Sequence, residues 1–281
     1  MKRIRFSTLC FTLLLLLGLL VGCGGEEAGA DTKFDGMWLE LDAVGEVWVI
    51  SGDSLQIYEC GSDGKYALQE NPMYDDGMGH RLPVKTTFKD GVVKRSFDGT
   101  LWKTKSVLSI KGDILTARTL ATMLSGLIYT DSTEYVRLDT PVSELKRICW
   151  SKDKVWQKGR WITEDGRYTF SVSHQSYQHD QVGSYHITTT SDDAVRYELN
   201  SMLYLYANGY MVVSNDMIGN DNPSPHTFVL LNYTMEGDRL TISGLDQLTA
   251  RIYDHRENED LPDISYGLFP ISELTFIAKA G

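Results

Sequence analysis

From about residue 34 onward, short runs rich in β-branched and aromatic residues alternate with Gly, Asp, Asn and Ser, and helical periodicity is almost absent. That pattern predicts strands. They fall at 38–41, 46–50, 55–59, 92–97, 106–110 and 114–117, and again at 167–172, 184–190, 202–206, 210–213, 228–233 and 240–242. Lys89-Asp90-Gly91, Asp98-Gly99 and Asp165-Gly166 supply the positive-φ residues that tight hairpins need. Strand following strand across short turns predicts an all-β fold, built as two tandem antiparallel barrels or barrel-like sandwiches. One segment breaks the pattern. Thr140-Pro141-Val142-Ser143-Glu144 reads as a helix start, and Val142, Leu145, Ile148 and Cys149 then share one helical face, so a short helix is expected within a linker at 140–154. The polar stretches 71–83, 215–226 and 254–262 read as long loops.

The two halves repeat each other. Lys111-Gly112-Asp113-Ile114-Leu115-Thr116 lies 125 positions before Glu236-Gly237-Asp238-Arg239-Leu240-Thr241, and Gly36-Met37-Trp38 lies 123 positions before Gly159-Arg160-Trp161. Two blocks at nearly one offset point to a duplicated β unit, with domains at 34–139 and 155–281.

The N-terminus has a different character. Lys2, Arg3 and Arg5 precede an apolar run that ends at Leu20-Val21-Gly22-Cys23. A basic start, a short apolar stretch and small residues at its end are the anatomy of a secretory signal, too short for a comfortable membrane span. The block ending in Cys23 resembles the lipobox of bacterial lipoproteins. The resemblance implies a signal peptide at 1–22, lipidation of Cys23 and a membrane anchor in the bacterial cell envelope. Residues 23–33 are small, polar and acidic, and read as a flexible tether.

Net charge is −11, and −14 once the three basic residues of the signal are removed. So acidic a chain is repelled by nucleic acid, which is not an expected partner. Beyond the signal and Cys23, Cys60 and Cys149 remain; a bridge between them is open, with two separate apolar thiols the default.

Each half opens on Gly-x-Trp, and Arg137 sits on the candidate closing strand 134–138 of the first. Gly36, Trp38 and Arg137 resemble the lipocalin pattern of the wider calycin group, in which a Trp plugs one end of a barrel and a basic residue of the last strand packs over it. Gly159 and Trp161 repeat the start, with 272–279 as closing strand and Lys279 as the expected basic partner. The resemblance implies barrels, and an interior able to hold a small hydrophobic ligand.

Catalytic readings fare worse. Gly52-Asp53-Ser54-Leu55 spells the nucleophile block of GDSL-type hydrolases, but the residues that follow continue as a strand, and no His has an Asp three positions before it. His174, His179 and His186 lack ligand spacing: His174 and His179 fall on opposite faces of any strand. Tyr204 and Tyr206 share a face opposite Leu203 and Leu205, which fits sheet stabilisation or a binding surface. The expectation is therefore a non-enzymatic envelope lipoprotein without metal or cofactor. It would bind a small apolar ligand or an envelope partner; the rival is a scaffold with filled barrels.

Overall fold

The computed structural model describes residues 32–279 apart from 42–44, 71–72, 76–80, 97–98, 100–102, 123–127, 157–158, 175–179, 191–192, 216–227 and 258–260. The expected signal, Cys23 and most of the tether lie outside the described residues.

Twenty-one strands and a few single 3-10 turns make up the rest. The first eleven are β1 (Gly36–Glu40), β2 (Val47–Ser51), β3 (Ser54–Cys60), β4 (Tyr66–Leu68), β5 (Met73–Asp75), β6 (Arg81–Pro83), β7 (Lys85–Lys89), β8 (Val92–Ser96), β9 (Lys103–Lys111), β10 (Ile114–Thr122) and β11 (Ile128–Leu138). Nine of them form one antiparallel sheet in the order β4-β3-β2-β1-β11-β10-β9-β8-β7, while β5 and β6 pair separately. The second set is β12 (Arg160–Thr163), β13 (Tyr168–His174), β14 (Gly183–Thr189), β15 (Val195–Leu205), β16 (Tyr210–Ser214), β17 (Phe228–Glu236), β18 (Arg239–Ser243), β19 (Thr249–Asp254), β20 (Asp263–Leu268) and β21 (Glu273–Ala278). Here β14-β13-β12-β21-β18-β17-β16-β15 form eight neighbours, and a β14–β15 ladder closes them into a barrel, with β19 and β20 extending from β15.

Both sheets follow one plan. In each, the first strand pairs with the last, and the remaining strands run outward as a meander. They differ in closure: β3 and β7 approach each other, but no ladder joins them among the described residues, so the first sheet is a half-barrel.

The repeated blocks occupy equivalent places. Gly112 and Gly237, at φ 61° and 66°, turn the β9–β10 and β17–β18 hairpins, and Leu115 and Leu240 are fully buried beyond them. The carbonyl of Asp113 accepts from the backbone of Arg137 at 3.0 Å, and that of Asp238 from Ala278 at 2.8 Å. Trp38 is paired with Trp48 and Arg137; Trp161 is paired with Phe170 and Ala278.

That register corrects one expectation. The position equivalent to Arg137 is Ala278, and the next residue, Lys279, is exposed. Neighbouring strand residues face opposite sides, so Lys279 does not cover Trp161. Trp156 and Phe170 do, at 5.5 and 5.6 Å between ring centroids.

The linker helix is also corrected. Val142–Glu144 is a single 3-10 turn after Pro141, Leu145 is already extended, and Trp150–Lys152 is another such turn. Between them Lys146 bridges to Lys65 and Arg147 to Tyr206. The backbone finds its partners in the two sheets, which removes the need for helical ones.

Three cores result. Trp38, Trp48, Ile50, Phe88 and Leu115 fill one end of the half-barrel. The closed barrel is filled by rings, among them Trp156, Trp161, Phe170, Tyr185, Phe269 and Phe276. A third core joins the outer faces of the sheets: Leu39, Val47 and Leu138 pack with Tyr204, Tyr206 and Val212. From Phe34 onward the chain is therefore one compact unit.

Replacing Trp38 or Trp161 with Ala should cost about 3–5 kcal/mol each in denaturant unfolding, because both rings are buried. Lys279→Ala should change stability by less than about 0.5 kcal/mol, as for other exposed sites. A loss for Lys279→Ala as large as for Trp161→Ala would contradict the pairing of Trp161 with Ala278.

Candidate functional site

At the filled end of the half-barrel, Gly36, Trp38 and Arg137 come together. Trp38 is fully buried and donates from Nε1 to the Phe34 carbonyl at 2.8 Å. The Arg137 guanidinium lies 4.5 Å from the Trp38 ring centroid, within cation–π range. Gly36 has a φ of 143°, and a β-carbon there would stand 3.5 Å from the guanidinium carbon. Gly159 likewise has positive φ, at 72°, before the buried Trp161. In both halves the glycine turns the chain into a strand whose Trp faces inward. These residues build the barrels.

Chemistry collects elsewhere on the same inner face. Phe88 on β7 pairs with Val93 on β8, and both are buried. Strand alternation puts the next inward positions at Thr86 and Arg95, which pair directly across the ladder. The hydroxyl of Thr86 and Nε of Arg95 are buried and have no hydrogen-bond partner. A register shift beside Val93 makes Lys105 the extra residue on β9. Burial and the nearby Arg95 charge hold the Lys105 ammonium below its ordinary pKa. Among the described residues neither Arg95 nor Lys105 has a hydrogen-bond or ion-pair partner.

The acids close to this pair are already engaged. Glu46 accepts from Trp48 Nε1 at 3.2 Å, and Glu59 accepts from Gln69 Nε2. Burial pushes the Glu46 carboxyl up, against the opposing pull of the Trp48 hydrogen bond and the Arg95 charge. Ser106 and Thr119 hydroxyls bond to each other at 3.2 Å. The half-barrel thus has a greasy end and a polar end, and at the polar end the Thr86 hydroxyl, Arg95 and Lys105 are the groups without a hydrogen-bond partner among the described residues. An anionic oxygen is what such groups can hold.

The sequence pattern does not single out Thr86, Arg95 or Lys105. Val92-Val93-Lys94-Arg95 has apolar residues on both parities, so the inward set could not be chosen, and the shift at Lys105 is set by the neighbouring strand.

A second polar cluster lies where the sheets meet. Arg147 is 4% exposed, its Nε donates to the Tyr206 hydroxyl at 3.0 Å, and its guanidinium stands 4.7 Å over the Tyr204 ring. Tyr66 from the first sheet bonds to the Tyr206 hydroxyl at 3.2 Å and to the Gly45 carbonyl at 2.9 Å. Burial alone would lower the Arg147 pKa, but Tyr206 and Tyr66 outweigh it, so the charge is held firmly. Tyr204 and Tyr206 thus serve the seam between sheets, while Tyr210 bonds to Thr140 at 3.1 Å. Beside the seam a cavity of about 150 Å³ is lined by Asp63, Lys146, Cys149, Lys152 and Asp153. Cys60 and Cys149 are free thiols, and burial pushes both upward in pKa, away from the reactive thiolate.

The remaining sequence candidates are dispersed. Gly52 to Ser54 is the β2–β3 hairpin turn. His179 lies outside the described residues, and His186 faces Glu198 at 3.2 Å. Among the described residues no group of three His, Cys, Asp or Glu is placed to hold a metal.

The raised Glu46 pKa has a defined sign. A carboxyl that is harder to ionise in the fold costs stability once pH rises from its unfolded to its folded pKa, and costs nothing below both. Glu46→Gln keeps an acceptor for Trp48 and should relieve this cost. The expected result is unfolding stability at neutral pH no lower than for the parent chain, with a flatter dependence between acid and neutral pH. No protein-family model matches this chain, and no curated protein is significantly similar to it.

Proposed function

We propose that this chain is a non-enzymatic lipoprotein of the bacterial cell envelope, anchored through lipid on Cys23, that binds a small ligand at the polar end of its half-barrel. One observation supports the ligand reading: the closed barrel is filled by its own rings, whereas on the inner face of the half-barrel the buried Thr86 hydroxyl and Arg95 Nε have no hydrogen-bond partner among the described residues. Buried donors without partners are costly, and a ligand that completes them recovers that cost on binding. The closed barrel then acts as a rigid support, joined to the half-barrel by a shared apolar core. Anchoring rests on the N-terminal sequence: the apolar run, the small residues and Cys23. Several acyl chains on one residue hold a protein firmly at a membrane. A small, polar and acidic stretch at 23–33 between anchor and fold suits so acidic a chain.

A second reading, contact with an envelope protein, is favoured by β20. It ends the second sheet, and Ile264, Tyr266 and Leu268 on one of its faces are 58%, 45% and 67% exposed. An apolar stripe on a sheet edge is a ready surface for an added strand.

Metabolic labelling with a palmitate analogue tests the anchor: the parent chain should incorporate label and Cys23→Ala should not. Equal label on both would remove the lipoprotein assignment. Native mass spectrometry of the chain released from its own envelope should show a bound small molecule. If only the bare mass appears, and a protein co-purifies that is lost on Ile264→Lys with Leu268→Lys, the second reading replaces the first.

A further inference from the structure

We infer that the ligand of the half-barrel is an anion, held by the guanidinium of Arg95 and the ammonium of Lys105 with the Thr86 hydroxyl donating alongside. The inference rests on the ligand reading above and adds the chemical class.

The argument is one of supply and demand among hydrogen-bonding groups. Four ionisable groups meet at the polar end: Glu46, Glu59, Arg95 and Lys105. They could in principle neutralise one another, yet no ion pair forms among them. The carboxylates accept hydrogen bonds from Trp48 and Gln69 instead. The cations are left beside each other, and their charges repel. A guanidinium offers five donors and an ammonium three, all without capacity to accept. Thr86, opposite Arg95 in the ladder, has a buried hydroxyl able to donate as well. A neutral or cationic ligand would leave both cations as they are. A carboxylate or phosphate answers every unmet donor and screens the repulsion, and charge-assisted bonds to such oxygens are the strong class.

Access fits this placement. Arg95 and Thr86 are each half-buried, and they sit on β7 and β8, at the edge where the first sheet fails to close. The closed barrel has no counterpart, since β14 and β15 are laddered there.

The test uses the full chain carrying Cys23→Ala, with octanoate, octanol, octylamine and inorganic phosphate compared by titration calorimetry. Octanoate should bind roughly ten-fold or more tightly than octanol, and octylamine not at all, as expected for a charge-assisted contact. Arg95→Met should weaken octanoate by a similar factor, Lys105→Met by less, and Lys89→Met, on an exposed residue of β7, not at all. Phosphate binding that is also lost in Arg95→Met would support the inference with a free anion as the source. Arg95→Met should melt close to the parent chain, because among the described residues the guanidinium makes no hydrogen bond or ion pair, and this guards against misfolding as the cause. Equal binding of octanoate and octanol, unchanged by Arg95→Met, would overturn the anion while leaving a ligand site in place. Binding of none of the four would overturn the inference, and with a bare native mass it would remove the ligand reading too.

Discussion

The guanidinium of Arg147 is enclosed where two sheets meet, and that enclosure sets how closely their outer faces approach. It is possible because two glycines stand against it. A β-carbon on Gly45 would come within 1.7 Å of the Arg147 side chain, and one on Gly64 within 2.1 Å of its carbonyl. Both have positive φ, so neither place suits an ordinary residue for reasons of conformation as well as space. Burying a charge is expensive, and the tyrosine rings and hydroxyls around it offset part of that cost. The arrangement is specific: Tyr66 comes from one sheet, Tyr204 and Tyr206 from the other, and Arg147 from the segment between.

Around that point the outer faces of the sheets become core. Leu39 and Val47 on β1 and β2 face away from their own barrel, as Tyr204 and Val212 do on β15 and β16, and each set covers the other. The linker is drawn into the same seam: Arg147 donates from its backbone to Gly64 at 2.8 Å, and Ile148 to Leu205 at 2.8 Å. Apolar residues on both faces of a strand thus have a simple cause. One face fills a barrel, and the other joins two barrels.

The two halves share a plan but use it differently. Ring packing fills the closed barrel. The half-barrel keeps a ring-filled base and a polar upper end, and its open edge lies between β3 and β7. The insertion carrying β4 to β6 falls between these same strands, whereas in the second half the inserted β19 and β20 fall between β18 and β21. An insertion between the closing strands interferes with closure; one between an already paired couple does not. The proposed ligand site lies in the half whose edge strands are not joined by a ladder among the described residues.

Much of this was legible from local rules. Short runs of β-branched and aromatic residues identified most strands, Gly with Asp identified the hairpins, and the recurrence of Gly-Asp and Gly-x-Trp blocks revealed one plan used twice, because each of these depends on backbone geometry within a few residues. The inward Trp38 and Trp161 were implied by the lipocalin-like resemblance of the Gly-x-Trp blocks. What depended on register across strands was out of reach. Lys279 looked like the partner of Trp161, but one step of register gave that place to Ala278. The linker carried a helical apolar face, yet its backbone was claimed by two sheets that only the fold brings near. Arg95 and Lys105 were two more polar residues in a strand-rich stretch until pairing with Thr86 and a one-residue shift set them at the polar end of the half-barrel. Sequence by itself determined the elements and their repetition, since those are written in short-range stereochemistry. Tertiary structure alone decided which charges come to stand together, because that is a property of neighbours far apart in the chain.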